Sequence, residues 1–142
     1  MLAAENTVFG IEEVHLGLAA DWGTVQRLGR KAKNHMLLRE LCYTGRRFGV
    51  KDAMELGLVH SVGGKTGDEV IARGLELAKT IAEKSPVAIH AYKQSLNYAL
   101  ENSMESSLAQ IRMANGAYLN SPDVAKAGLA KMQKRKVIFP KL

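Results

Sequence analysis

Ile11-Glu12-Glu13-Val14-His15-Leu16-Gly17-Leu18-Ala19-Ala20-Asp21-Trp22-Gly23-Thr24-Val25-Gln26-Arg27-Leu28-Gly29-Arg30 says more about architecture than any other segment of the 142-residue chain. Val8 and Phe9, just before it, have the β-branched and aromatic character of a strand. From Thr24 onward, apolar Val25 and Leu28 with Arg27 and Arg30 between them follow a helical spacing. The pattern predicts strand, bend and helix start in close succession. The bend holds Gly17, Ala19, Ala20 and Gly23, whose small or missing side chains let a ligand or another backbone come near. Glu13 and Asp21 stand on either side of it. Two carboxylates in different surroundings can take and give a proton in turn, so the pair points to proton transfer. In purely structural terms, Glu13 is a solvated strand-end residue and Asp21 the N-cap of a helix over Trp22 to Gln26.

Working outward, Asn34 can cap a helix whose Leu37, Leu38, Leu41 and Cys42 recur on one face until Thr44-Gly45 ends it. Arg46 to Val50 reads as a short extended piece, Lys51 to Gly57 as a short helix, and Leu58-Val59-His60-Ser61-Val62 as a strand. Gly63-Gly64-Lys65-Thr66-Gly67 carries the Gly-Lys-Thr that ends a phosphate-binding loop. Position 59 is Val where the upstream glycine belongs, so the spacing fails and a flexible basic turn is predicted. A boundary is placed there, giving residues 1–64 and 65–142. Beyond Asp68 the pattern is helical, with Val70, Ile71, Leu75, Ala78, Ile81 and Ala82 on one face up to Lys84. Ser85-Pro86 and Ser121-Pro122 each combine an N-cap residue with proline at the first helical position. They start helices carrying Ile89, Tyr92, Leu96 and Ala99, and a last one running from Val124 toward Lys136. Between them lies a helix with Met104, Leu108, Ile111 and Tyr118.

These amphipathic stripes read as core or partner surface, and four helices on so few residues cannot bury every apolar face within one bundle, so an oligomer is expected. With 46% hydrophobic residues the chain can form a modest core. No run approaches the roughly 18 apolar residues that span a bilayer, and the start lacks the basic and apolar regions of a signal peptide. The single cysteine, Cys42, excludes an internal disulfide. His15, His35, His60 and His90 have no metal-ligand spacing. Much of the net charge of +6 comes from Lys131-Met132-Gln133-Lys134-Arg135-Lys136. Such clusters attract phosphates, but without interleaved aromatics nucleic acid is not the expected partner.

The run Phe9…Glu13-Val14-x-x-Gly17-Leu18-Ala19-Ala20-Asp21-x-Gly23-Thr24-x-Gln26-Arg27-Leu28-x-Arg30 resembles the crotonase (enoyl-CoA hydratase/isomerase) superfamily. The similarity continues through Glu40-Leu41, Thr44-Gly45-Arg46, Ala53, Gly57-Leu58-Val59, Ala82-x-Lys84-Ser85-Pro86-Val87-Ala88, Lys93 and Asn97. Glu13 with Asp21 eight residues later resembles the Δ3,5-Δ2,4-dienoyl-CoA isomerases; most members carry Gly at the second position. The resemblance implies an α/β fold, the C-terminal portion of a ββα spiral: residues 1–64 end the spiral core and residues 65–142 form a helical oligomerisation region of trimers that pair as hexamers. It implies Glu13 as the base at C2 of a dienoyl thioester and Asp21 as the acid at C6; the residues themselves leave the two roles open. No metal or redox cofactor is implied, coenzyme A being part of the substrate. Lys134 matches a lysine that reaches the CoA phosphates bound by a neighbouring subunit, whereas the aromatic residue of the hydratases is replaced by Lys131. The family's oxyanion hole lies in a half preceding this segment, so the 142 residues are expected to be inactive alone. Enoyl-CoA hydratase is the alternative activity, and a non-catalytic truncated subunit acting as an oligomerisation module the alternative of another class. Pro140-Lys141-Leu142 resembles the Ser-Lys-Leu peroxisomal address, with the mitochondrial matrix as the alternative location.

Overall fold

A computed structural model of the chain describes residues 1–140, so Lys141 and Leu142 of the tail motif lie outside the described residues. The elements run β1 (Leu2–Ala4), a 3-10 turn (Glu13–Leu16), α1 (Thr24–Lys31), α2 (His35–Thr44), α3 (Val50–Glu55), β2 (Ser61–Gly64), α4 (Gly67–Ala82), α5 (Pro86–Ala99), α6 (Met104–Tyr118) and α7 (Pro122–Met132). The class is α/β with helix dominant. Two compact units divide within α4, one over Met1–Glu76 and one from Leu77 onward.

In the first unit β1 and β2 form a parallel pair, Leu2 opposite Ser61 and Ala3 opposite Val62, with an irregularity before Ala4 meets Gly64. The strand predicted over Leu58–Val62 therefore starts later and takes in Gly63-Gly64, which are not a flexible turn. The N–H groups of Leu58 and Val59 both go to the Ala53 carbonyl at the end of α3, at 2.9 and 3.1 Å, so neither can join a ladder. Pairing begins only where the His60 N–H reaches the Met1 carbonyl at 2.7 Å. Immediately after β2, the Thr66 hydroxyl accepts from the Glu69 N–H and the Glu69 carboxylate accepts from the Lys65 N–H at 2.6 Å. This close relative of a capping box fixes the start of α4 and gives Thr66 a structural role.

Helix α2 has the expected ends. Asn34 Oδ1 accepts from the Leu37 N–H at 2.9 Å, and Gly45 closes the helix in the left-handed conformation, φ 63°. Its buried face, Leu38 and Leu41, packs with Ala3, Ile11, Phe48, Val50, Ala53, Leu56 and Val59. Leu41 and Leu56 are the largest fully buried side chains. Helix α1 departs from expectation. Its N-cap is Gly23 and not Asp21, and no side chain caps it; the Asp21 carbonyl instead accepts from the Thr24 N–H at 2.9 Å, closing a turn ahead of the helix.

In the second unit the Ser-Pro starts are as predicted. Ser85 Oγ accepts from the Ala88 N–H at 3.2 Å and Ser121 Oγ from the Asp123 N–H at 3.3 Å. The last helix stops at Met132, short of Lys136; Lys134 takes a positive φ of 52°, which ends helical continuation. Helices α5 and α6 pack on each other, and Ser95 Oγ donates to Gln110 Oε1 at 3.3 Å. Among described residues, the only buried side chains here are Asp123 and Ala130. The predicted stripe residues Leu96 and Leu108 are exposed, as is Leu75 at the end of the first unit. The chain exposes 10,868 Å² in total, whereas two separately compact units of these lengths would together expose about 8,700 Å². The helical faces are apolar, as the pattern requires, but among the described residues the second unit does not cover them within itself.

Candidate active site

The 3-10 turn Glu13–Leu16 ends at Gly17 in the left-handed conformation, φ 71°, and the Leu18 N–H closes back on the Glu13 carbonyl at 3.2 Å. This sharp reversal directs Glu13 into a cavity of about 610 Å³, within the size range of small-molecule sites. One wall is apolar and small: Leu18, Ala19, Ala20, Val25 and Leu28 from the bend and α1. The other is a face of α2 with Leu38, His35, Arg39, Cys42 and Tyr43. Glu13 Oε2 is buried and has no hydrogen-bond partner among the described residues. An orphaned buried acceptor is costly unless a ligand uses it.

Asp21 is placed differently. It lies between the lining residues Ala20 and Thr24 but is exposed and not part of the cavity wall. Trp22 beside it is 89% exposed and has a positive φ of 51°. Lys134 is exposed in the second unit, its N–H on the Lys131 carbonyl at 3.2 Å. Of the three residues singled out from the sequence, Glu13 alone enters the cavity.

The α2 side was missed. The sequence places Cys42 on the apolar face of α2 and gives His35 no metal-ligand spacing, and neither reading marks a cavity wall. Positions 35, 39, 42 and 43 share one face of a 3.6-residue helix, a spacing that could have marked the wall. Burial pushes the Cys42 thiol pKa up, and the negative charge of Glu13 pushes it further. The Glu12 carboxyl is instead held below the ordinary glutamate range, chiefly by its hydrogen bond with the Arg47 guanidinium. The pair has one contact at 2.8 Å and a second at 3.4 Å. His15 Nε2 lies 3.1 Å from the Gly45 carbonyl; a carbonyl only accepts, so the ring nitrogen is the donor. Among the described residues no three His, Cys, Asp or Glu side chains are grouped as a metal site, and no helix is long and apolar enough to cross a membrane.

Residues 1–141 match the family described as enoyl-CoA hydratase/isomerase. The chain belongs to that family. It is 36% identical over 141 residues to the mitochondrial Delta(3,5)-Delta(2,4)-dienoyl-CoA isomerase of Mus musculus, covering 97% of this chain and 43% of the relative. It is 38% identical over 140 residues to the peroxisomal isomerase of that name from Arabidopsis thaliana, covering 98% and 49%. An enoyl-CoA hydratase structure from Bacillus anthracis superposes with a TM-score of 0.88 at 27% identity, over 97% of this chain and 52% of that one. The fold is therefore crotonase-like, as the sequence resemblance implied, and the chain spans about half the length of the enoyl-CoA hydratase/isomerase relatives it matches.

Proposed function

We propose that this chain contributes acid/base groups to Δ3,5-Δ2,4-dienoyl-CoA isomerisation in the breakdown of unsaturated fatty acyl-CoA. The observation that carries the reading is Glu13 Oε2, buried and unpartnered at an apolar cavity of substrate size. The named dienoyl-CoA isomerases among the relatives support it. A 3,5-dienoyl thioester has an acidified proton at C2. Its removal by Glu13 spreads negative charge over the thioester oxygen and the diene, and a proton delivered at C6 by Asp21 leaves the 2,4-diene. One proton is removed and one added with no change of oxidation state, so the carboxylates need no redox partner, and coenzyme A enters as part of the substrate. The apolar wall of Leu18, Val25 and Leu28 suits an acyl chain. The working assembly in this reading is a homotrimer or hexamer, with Lys134 on the CoA phosphates of a neighbouring subunit. Its location is the peroxisome, with the mitochondrial matrix as the alternative.

The exposure of Asp21 outside the cavity wall favours one second reading, enoyl-CoA hydration, in which Glu13 serves and Asp21 has no part. A two-substrate assay of the longest native form separates them. Dienoyl double-bond migration is expected to exceed hydration, and both Glu13→Gln and Asp21→Asn to abolish migration. Full migration by Asp21→Asn removes that residue from the mechanism, and faster hydration than migration by the unmodified protein assigns the hydratase reading.

A further inference from the structure

The segment leading into the cavity is fastened along its length to residues 45–48. At the near end the Phe9 N–H donates to the Phe48 carbonyl at 2.8 Å and the Phe48 N–H to the Phe9 carbonyl at 2.9 Å. The two rings stack with centroids 5.5 Å apart. Next, Arg47 holds Glu12 through both carboxylate oxygens. At the far end His15 donates to the Gly45 carbonyl. As the number rises on one side, 9, 12, 15, it falls on the other, 48, 47, 45, so the strip runs antiparallel to the segment. Glu13 lies between the last two fastenings. Gly45 is bare where His15 and Val14 come closest: a Cβ there would lie 2.5 Å from His15 Nε2 and 2.8 Å from Val14 Cγ1.

We propose that Gly45–Phe48 is a positioning strap for Glu13, with His15 and Arg47 as positioning residues that fix the direction of its carboxylate. The inference rests on the reading of Glu13 as the acid/base group and adds residues that act through it. Arg47 also distinguishes two adjacent glutamates: its guanidinium is committed to Glu12, which leaves Glu13 to the cavity. The Arg47 side chain is 71% exposed, and an exposed pair contributes little to folding. The strap therefore shows itself in orientation, not in global stability.

Two measurements test it. In the chain itself, hydrogen exchange reads the Gly17 and Leu18 amides, which bond the Val14 and Glu13 carbonyls at 3.1 and 3.2 Å. The double variant His15→Ala/Arg47→Ala is expected to speed their exchange about tenfold while α2 amides hold their rates. In the longest native form, the same variant is expected to lower kcat about tenfold with KM within about twofold, and His15→Gln, which keeps a donor at similar reach, to lose much less kcat than His15→Ala. Unchanged exchange at Gly17 and Leu18 overturns the strap, as does unchanged kcat in a protein that Glu13→Gln inactivates. If Glu13→Gln stays active, the underlying reading of Glu13 fails instead, and the exchange result still decides whether the strap orders the turn.

Discussion

Replacing Gly45 by alanine isolates the close approach between the end of α2 and the turn that carries Glu13. The left-handed φ of 63° costs an L-residue about 1–2 kcal/mol, and the stiffer unfolded chain returns about 0.4–1 kcal/mol. The added methyl also meets His15 and Val14 well inside the roughly 3.5 Å of ordinary carbon contact, an overpacking that costs about 1–3 kcal/mol more. Gly17→Ala is the matched control, because φ is 71° there and a Cβ meets nothing within 4 Å. The expected difference between the two variants is thus about 2 kcal/mol, or roughly 1 M in urea midpoint for a slope near 2 kcal/mol/M, read by far-ultraviolet circular dichroism. Adding His15→Ala to Gly45→Ala is expected to recover part of the loss. Equal midpoints for Gly45→Ala and Gly17→Ala would refute the argument, since backbone conformation would then account for the whole effect.

Ser85 both caps α5 and donates to the buried Asp123 at 2.5 Å. Ser85→Ala should cost about 2–3 kcal/mol, about one from the cap and the rest from an acceptor left without its donor; Ser85→Thr should recover most of it, and a loss below about 0.5 kcal/mol by thermal melting contradicts the pairing. The Cys42 pKa is raised, so the thiol keeps its proton to higher pH and iodoacetamide, which reacts with the thiolate, should modify it more slowly at pH 8 than a free cysteine. Because Glu13 contributes to that rise, Glu13→Gln should move the alkylation profile to lower pH; a shift the other way would mean that Cys42 does not sense the Glu13 charge.

The features legible in the sequence are those with local causes. Asn34 and Gly45 bracket α2, and the Ser-Pro pairs start α5 and α7, because each cap is made by residues within a turn of one another. Thr66-x-x-Glu69 is equally local, but it sits in a stretch whose glycines and lysine read as a flexible basic turn. The strand boundary was not legible, since the partner that decides it is Met1–Ala4, far away in the chain, and the Ala53 carbonyl competes for Leu58 and Val59. Glu13 was legible as a candidate from the small-residue bend beside it, and the structure places it on the cavity wall. The exposure of Asp21 was not, because it follows from the turn that the Thr24 N–H closes on its carbonyl. Periodicity likewise marked the apolar faces of α5 and α6, but a period says which side of a helix favours cover and is silent on whether the same chain supplies it.

Beyond Leu77, Ala130 is the only buried apolar side chain among the described residues. For these helices, any partner that covers the apolar faces would draw the equilibrium toward the folded form by mass action. If copies of the chain supply that cover, its melting temperature would rise with concentration, and a dilution series would read this as directly as heat.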